Sequence, residues 1–149
     1  PDHLHNVVRP ALKRGAATSG RTTSAAVIAS PAIATGVDDA AVAAERQRHR
    51  QLLAFLYSTP AYAPALIKRG WTHLPERLRE LVRAQQWDRL PAVLTDDVVD
   101  EFVVCARYDE LPRMLAARFG AVADGMVLPP LRGDSDAGIE ACVAALAAQ

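Results

Sequence analysis

The stretch EFVVCARYDELPRMLAARFGAVADGMVLPP, residues 101–130, decides the fold. Its opening EFVVCA is a short apolar run that reads as a strand. DELPRMLAARFG then reads as a helix, capped by Asp109 and stopped by Gly120. DGMVLPP reads as a second strand, and AGIEACVAALAA, residues 137–148, as a closing helix. Strand, helix, strand and helix in short alternation is the pattern of parallel βα units.

Working outward, SAAVIASPAIATG at 24–36 is another short apolar run, rich enough in β-branched residues to favour a buried strand. Pro31 inside it cannot donate a ladder hydrogen bond, which predicts a bulge or an irregular strand end there. Before this run, Leu4, Val7, Val8, Ala11 and Leu12 recur at helical spacing from His3 to Ala17, and Gly15, Ser19 and Gly20 close the segment. After it, Asp38 and Asp39 supply the N-cap of a long helix running to about Leu56. Ser58-Thr59-Pro60 breaks the backbone and caps a helix from Ala61 to Arg69, with Gly70 as its stop. Further helices are predicted from Pro75 to Gln86 and from Asp88 to Leu94. The sum is three βα units in one partial domain covering residues 1–149, with a helical insertion after the first unit, within residues 38–97.

Three parallel strands need both faces covered and their edges protected. Half of a (β/α)₈ barrel, about strands six to eight, fits this α/β pattern; an independent three-stranded α/β domain is the competing architecture. Position 1 is Pro rather than Met, and the first residues already read as a helix in progress, so the expectation is a piece of a longer gene product.

Composition narrows the classes of function. The chain has 149 residues, a formal net charge of +0 and 50% hydrophobic residues, which permits an ordinary core. Balanced charge gives no long-range attraction for nucleic acid or an anionic membrane, so neither is expected as a partner. ERQRHRQ at 45–51 alternates its charges along a helix as a solvated surface does. No apolar run reaches the length of a membrane span, and the expected location is cytoplasmic. Cys105 and Cys142 sit in apolar surroundings without ligand spacing and read as reduced core residues. His3, His5, His49 and His73 lack partners at i+3 or i+4, and the acidic run Asp96, Asp97, Asp100, Glu101 lacks the spacing of a calcium loop, so no metal is expected. No nucleophile elbow, P-loop or dinucleotide glycine fingerprint is present.

The segments VRPALKRGAATSGR (8–21), PAIATGVDDAAVAAERQRHRQLLAFLYSTPAY (31–62), LIKRGW (66–71), QWDRLPAVLTDDVVDEFVV (86–104) and LAARFG (115–120) give the chain a recognisable character. Together they resemble the C-terminal part of the luciferase-like monooxygenase superfamily, and within it the oxidoreductases that use the deazaflavin coenzyme F-420. The resemblance implies a (β/α)₈ barrel and hydride transfer between the deazaflavin ring, or alternatively FMN, and a small organic substrate. The family's ring-contacting and acid/base residues come from early strands, so no catalytic residue is assigned here. The segment alone is expected to be inactive and not to hold the coenzyme. One departure stands out: where family members carry Gly-Thr-Pro after the second of these strands, this chain has Ala106-Arg107-Tyr108.

On that resemblance the cofactor-binding candidates are Thr35 and Gly36 after the first strand, Arg107 after the second, and Arg132 after the last, beside Pro129 and Pro130. Loops after barrel strands seven and eight often bind phosphate, which makes the two arginines the anion-binding candidates. Tyr57, Tyr62 and Trp71 are the substrate-binding candidates, as one wall of the substrate entrance; the alternative is that they pack the insertion helices together. A second class of function also stays open, a non-catalytic remnant that buries its strand edges by self-association or against a protein partner.

Overall fold

The chain is described by a computed structural model over residues 1–128 and 136–148. A π-helical turn at Leu4–Val8 leads into α1 (Arg9–Thr18). The first apolar run breaks at Pro31, as a residue without an N–H dictates, into β1 (Ile28–Ala29) and β2 (Ala32–Gly36). α2 (Asp39–Tyr57) starts where the Asp38 carboxylate accepts from the Ala41 N–H at 2.8 Å. A 3₁₀ turn at Pro60–Tyr62 and the short α3 (Ala63–Ile67) follow, ending at Gly70, whose φ of +89° suits only glycine comfortably. Then come α4 (Leu74–Arg83), a 3₁₀ segment at Trp87–Val93, α5 (Asp96–Phe102), β3 (Val103–Arg107), α6 (Leu111–Phe119), β4 (Gly125–Met126) and α7 (Asp136–Ala147).

Several sequence expectations shift here: the helix expected at Ala61–Arg69 is a 3₁₀ turn and the short α3, and that expected at Asp88–Leu94 is the 3₁₀ segment Trp87–Val93. Glu101 and Phe102 belong to α5 rather than to the strand: Asp96 and Asp97 in its first turn favour a helix start there, and β3 begins at Val103. Glu110, not Asp109, holds the N-cap position of α6 and makes no side-chain cap, while Asp109 turns to Arg107 at 3.5 Å. The last strand is shorter than DGMVLPP, with only Gly125–Met126 in the ladder; Pro129, Pro130 and Arg132 lie outside the described residues.

Both pairings are parallel. β2 pairs β3 with Ala32 opposite Val103 and Gly36 opposite Arg107, and β1 pairs β4 with Ile28 opposite Gly125. Side chains alternate faces along a strand, and the two cores respect this. Ala34, Val103 and Cys105 face Leu53, Ala54 and Tyr57 of α2, with α4 and α5 behind. Ile33, Val104 and Ala106 face Leu111 and Leu115 of α6 and Cys142 of α7. Cys105 and Cys142 therefore stand on opposite sides of the sheet, both as free thiols.

Helices on opposite faces carry the chain to opposite edges, because β-crossover-β connections are right-handed. The carbonyls agree. Gly36 O accepts from Tyr108 N–H on the β3 side, whereas Val27 O and Ala29 O, of the other parity, accept from Asp124 N–H and Val127 N–H on the β4 side, at 2.8 Å each. β4 thus lies beside β1, not beside β3, the strand that precedes it in the chain. In a closed barrel the helices lie outside the strands; in this chain, with α2 on one face, α6 and α7 cover the other.

Candidate functional site

Thr35, Gly36 and Arg107 meet at the C-terminal ends of β2 and β3, as their register requires. Gly36 is there because nothing larger fits: a Cβ on it would overlap the Ala41 methyl and lie 3.2 Å from the Ala41 carbonyl carbon. The first turn of α2 is thereby seated directly on the end of β2. Thr35 shares a face with Ile33 and Ala106 and is only 5% exposed, yet its hydroxyl has no hydrogen-bond partner among the described residues.

Arg107 is the last residue of β3, and its guanidinium is held by carboxylates. It pairs with Asp39 at 3.1 Å, Glu110 at 3.4 Å and Asp109 at 3.5 Å. The negative charge round it raises its already high pKa, Glu110 contributing most, so it is permanently charged. Among the described residues, three carboxylates surround this one cation. Nothing in the residue pattern of Arg107 alone announced this; the signal was Asp38-Asp39 and Asp109-Glu110 standing after the ends of two strands that pair.

The aromatic candidates are elsewhere. α2 has 19 residues and so runs about 28 Å back along the sheet, which delivers Tyr57, and with it Trp71 of the insertion, to the N-terminal end of β3. Tyr57 is buried with its ring 5.0 Å from Phe102, the residue just before β3, and Trp71 lies 6.2 Å from the same ring. The Arg69 guanidinium sits 5.0 Å above it and pairs with Glu101. Burial, countered in part by Arg69, pushes the Tyr57 phenol up to about 12. Tyr62 is 46% exposed and is not in this cluster. Tyr57 and Trp71 are packing residues of the insertion, at the opposite end of the strands from Thr35, Gly36 and Arg107. The return path of α2 separates Tyr57 and Trp71 from Thr35, Gly36 and Arg107.

Sequence reading also missed three arginine anchors. Arg46 on α2 reaches Asp96 and Asp100 of α5, each at 2.8 Å, and Arg50 joins it on Asp96. Arg9 of α1 donates to Asp124 Oδ1 at 2.9 Å while Asp124 Oδ2 accepts from the Val27 N–H at 2.7 Å, which fixes the start of β4 beside β1. Burial pushes both cysteine thiols up, which makes neither a ready nucleophile. Among the described residues no group of three His, Cys, Asp or Glu is placed to hold a metal, and no helix is long and apolar enough to cross a membrane.

A cleft of about 640 Å³ lies between α6, β4 and α7, with Gly120, Gly125, Met126 and Leu146 in its walls. It does not touch the strand ends that carry Thr35 and Arg107.

The chain is similar to the uncharacterized protein Rv1360 of Mycobacterium tuberculosis and the uncharacterized protein Mb1395 of Mycobacterium bovis, 37% identical to each over 128 residues. The alignment takes in 85% of this chain and 37% of each relative, so the chain spans little more than a third of the length of the proteins it matches. No family model matches it. No solved structure matches it either.

Proposed function

We propose that this chain supplies the C-terminal βα units of an oxidoreductase of the luciferase-like type, which passes a hydride between coenzyme F-420, or alternatively FMN, and a small organic substrate. The observation that carries the reading is the meeting of Thr35 and Gly36 with Arg107 at the C-terminal ends of two paired parallel strands. Barrel enzymes build their sites at that end. In the whole barrel the three strands would be strands six to eight, and the Ile33–Val104 face would line the interior, so α6 and α7 would leave it. No residue of this chain is given a catalytic role, and the segment alone is taken to be inactive.

The test follows F-420 and FMN fluorescence on titration into this chain and, in parallel, into the longer Mycobacterium tuberculosis relative. The proposal expects coenzyme binding by the longer protein and no turnover by this chain. Absence of binding of either coenzyme to both proteins would remove the assignment, and turnover by this chain alone would remove the claim of inactivity.

A second reading, a non-catalytic chain that self-associates, is favoured by Ile28 and Val127, which are 58% and 56% exposed along the β1–β4 pair. An apolar strand pair left open to water invites another copy. Sedimentation of the purified chain as a monomer at all concentrations would dismiss it.

A further inference from the structure

We propose that the cleft between α2 and the 3₁₀ segment Trp87–Val93 is a binding site for a small organic cation, a methylated ammonium compound of the choline type. The inference does not depend on the oxidoreductase reading.

The cleft itself is the first ground. It holds about 470 Å³ and is walled by Gln51 and Phe55 of α2 and by Trp87, Asp88, Leu90 and Pro91, a size at which small-molecule sites occur. None of these residues belongs to the strand ends that carry Thr35 and Arg107.

The chemistry of the walls is the second ground. Aromatic residues make up only 5% of the chain, yet Phe55 and Trp87 stand side by side here, 57% and 43% exposed. Their ring centroids are 6.3 Å apart and the planes are tilted by 43°, so the rings form adjacent walls rather than a stack. The Asp88 carboxylate lines the same cleft and has no hydrogen bond or ion pair among the described residues. Aromatic rings attract a cation through their quadrupole, and an uncompensated carboxylate beside them adds the full charge. A ligand with apolar substituents round a positive nitrogen matches both.

Gln85 is the third ground. α4 ends in a Schellman turn, with the Gln86 N–H donating to Leu81 O at 2.9 Å and the Gln85 N–H to Val82 O at 3.0 Å. The turn holds Gln85 at φ +56°, the one non-glycine residue in the left-handed region among the described residues, where glycine is the easier occupant. What Gln85 adds is its side chain, whose Oε1 accepts from the Trp87 Nε1–H at 3.2 Å and so orients the indole that lines the cleft. Gln85 is thus a positioning residue, kept at some expense of stability.

The experiment follows the Trp87 indole N–H signal in ¹⁵N–¹H spectra of the whole chain, identified by its loss in Trp87→Leu. Choline chloride is titrated against sodium chloride at equal ionic strength, and in parallel with the uncharged choline isostere in which a tert-butyl group replaces the trimethylammonium. Saturable shifts with choline, absent with the isostere, are expected, with affinity about tenfold weaker in Asp88→Asn and in Phe55→Ala. Gln85→Gly should melt a few degrees higher while binding choline more weakly, a pair of effects that a purely structural glutamine would not give. No saturation by choline, equal saturation by the isostere, unchanged affinity in Asp88→Asn or Phe55→Ala, or a Gln85→Gly variant that binds as the parent does or melts below it would each overturn the proposal.

Discussion

Gly36 and Ala41 approach so closely that the hydrogen on the glycine Cα is all the space between strand and helix allows. The Ala41 methyl is fixed to its backbone and cannot rotate aside, so Gly36→Ala must lift the first turn of α2 from β2. Overpacking of this kind costs about 1–3 kcal/mol. A fall in the urea midpoint with an unchanged slope is the expected result; a midpoint equal to that of the parent would show that the helix end yields freely.

Acid stability should depend on the arginine anchors. Hydrogen bonds from Arg50 and then Arg46 hold the Asp96 carboxyl below the usual range, and the Val27 N–H followed by Arg9 does the same for Asp124. A carboxyl whose folded pKa is depressed contributes stability that is complete above its unfolded value of about 4 and is lost as pH falls through the folded one. Urea midpoints should therefore drop below about pH 4. Asp96→Asn and Asp124→Asn should each flatten that drop, while lowering the midpoint at neutral pH.

At the alkaline end Tyr57 decides. Its folded pKa, about 12, lies above the ordinary value of 10.0, so the folded chain holds the proton more tightly. The resulting stability is complete below pH 10.0 and is lost as pH rises toward about 12. Ultraviolet titration of the three tyrosines should find one ionising late. Tyr57→Phe should abolish that step, and Tyr62→Phe should leave it and the melting temperature unchanged.

The aromatic cluster before β3 should respond to Phe102. Truncation by Phe102→Ala strips packing from Tyr57, Trp71 and Arg69 together, at a cost of about 3 kcal/mol. Trp71 emission should shift to the red. The control is Phe55→Ala, whose exposed ring lies 6.3 Å from Trp87; it should stay within about 0.5 kcal/mol of the parent.

Much of the local structure was legible before any coordinate. Asp38 announces α2, Pro31 announces the break between β1 and β2, and Gly70 announces the end of the α3 turn, because each acts through its own backbone. Boundaries were less legible where two tendencies compete. Glu101 and Phe102 are apolar-flanked and strand-like in isolation, but the acidic first turn at Asp96 extends a helix through them. Of the candidate site, Thr35, Gly36 and Arg107 could be grouped in advance, since all were expected at the C-terminal ends of strands of the same direction. Tyr57 and Trp71 could not be placed, because their position depends on how far α2 runs back along the sheet.

The sequence by itself determined the elements and their direction: short apolar runs separated by capped amphipathic helices can be joined only as parallel βα units. Tertiary structure alone decided which strand lies next to which and which face each helix covers. The alternation of residues along β2 and β3 offers two apolar faces of similar character, Ala34 with Cys105 and Ile33 with Val104, and either could receive α6. The choice is made by long-range contacts, the Asp124 bridge to Val27 and Arg9 and the packing of Leu111 and Leu115 on Ile33 and Val104, whose partners are too far apart in the chain for any local pattern to record.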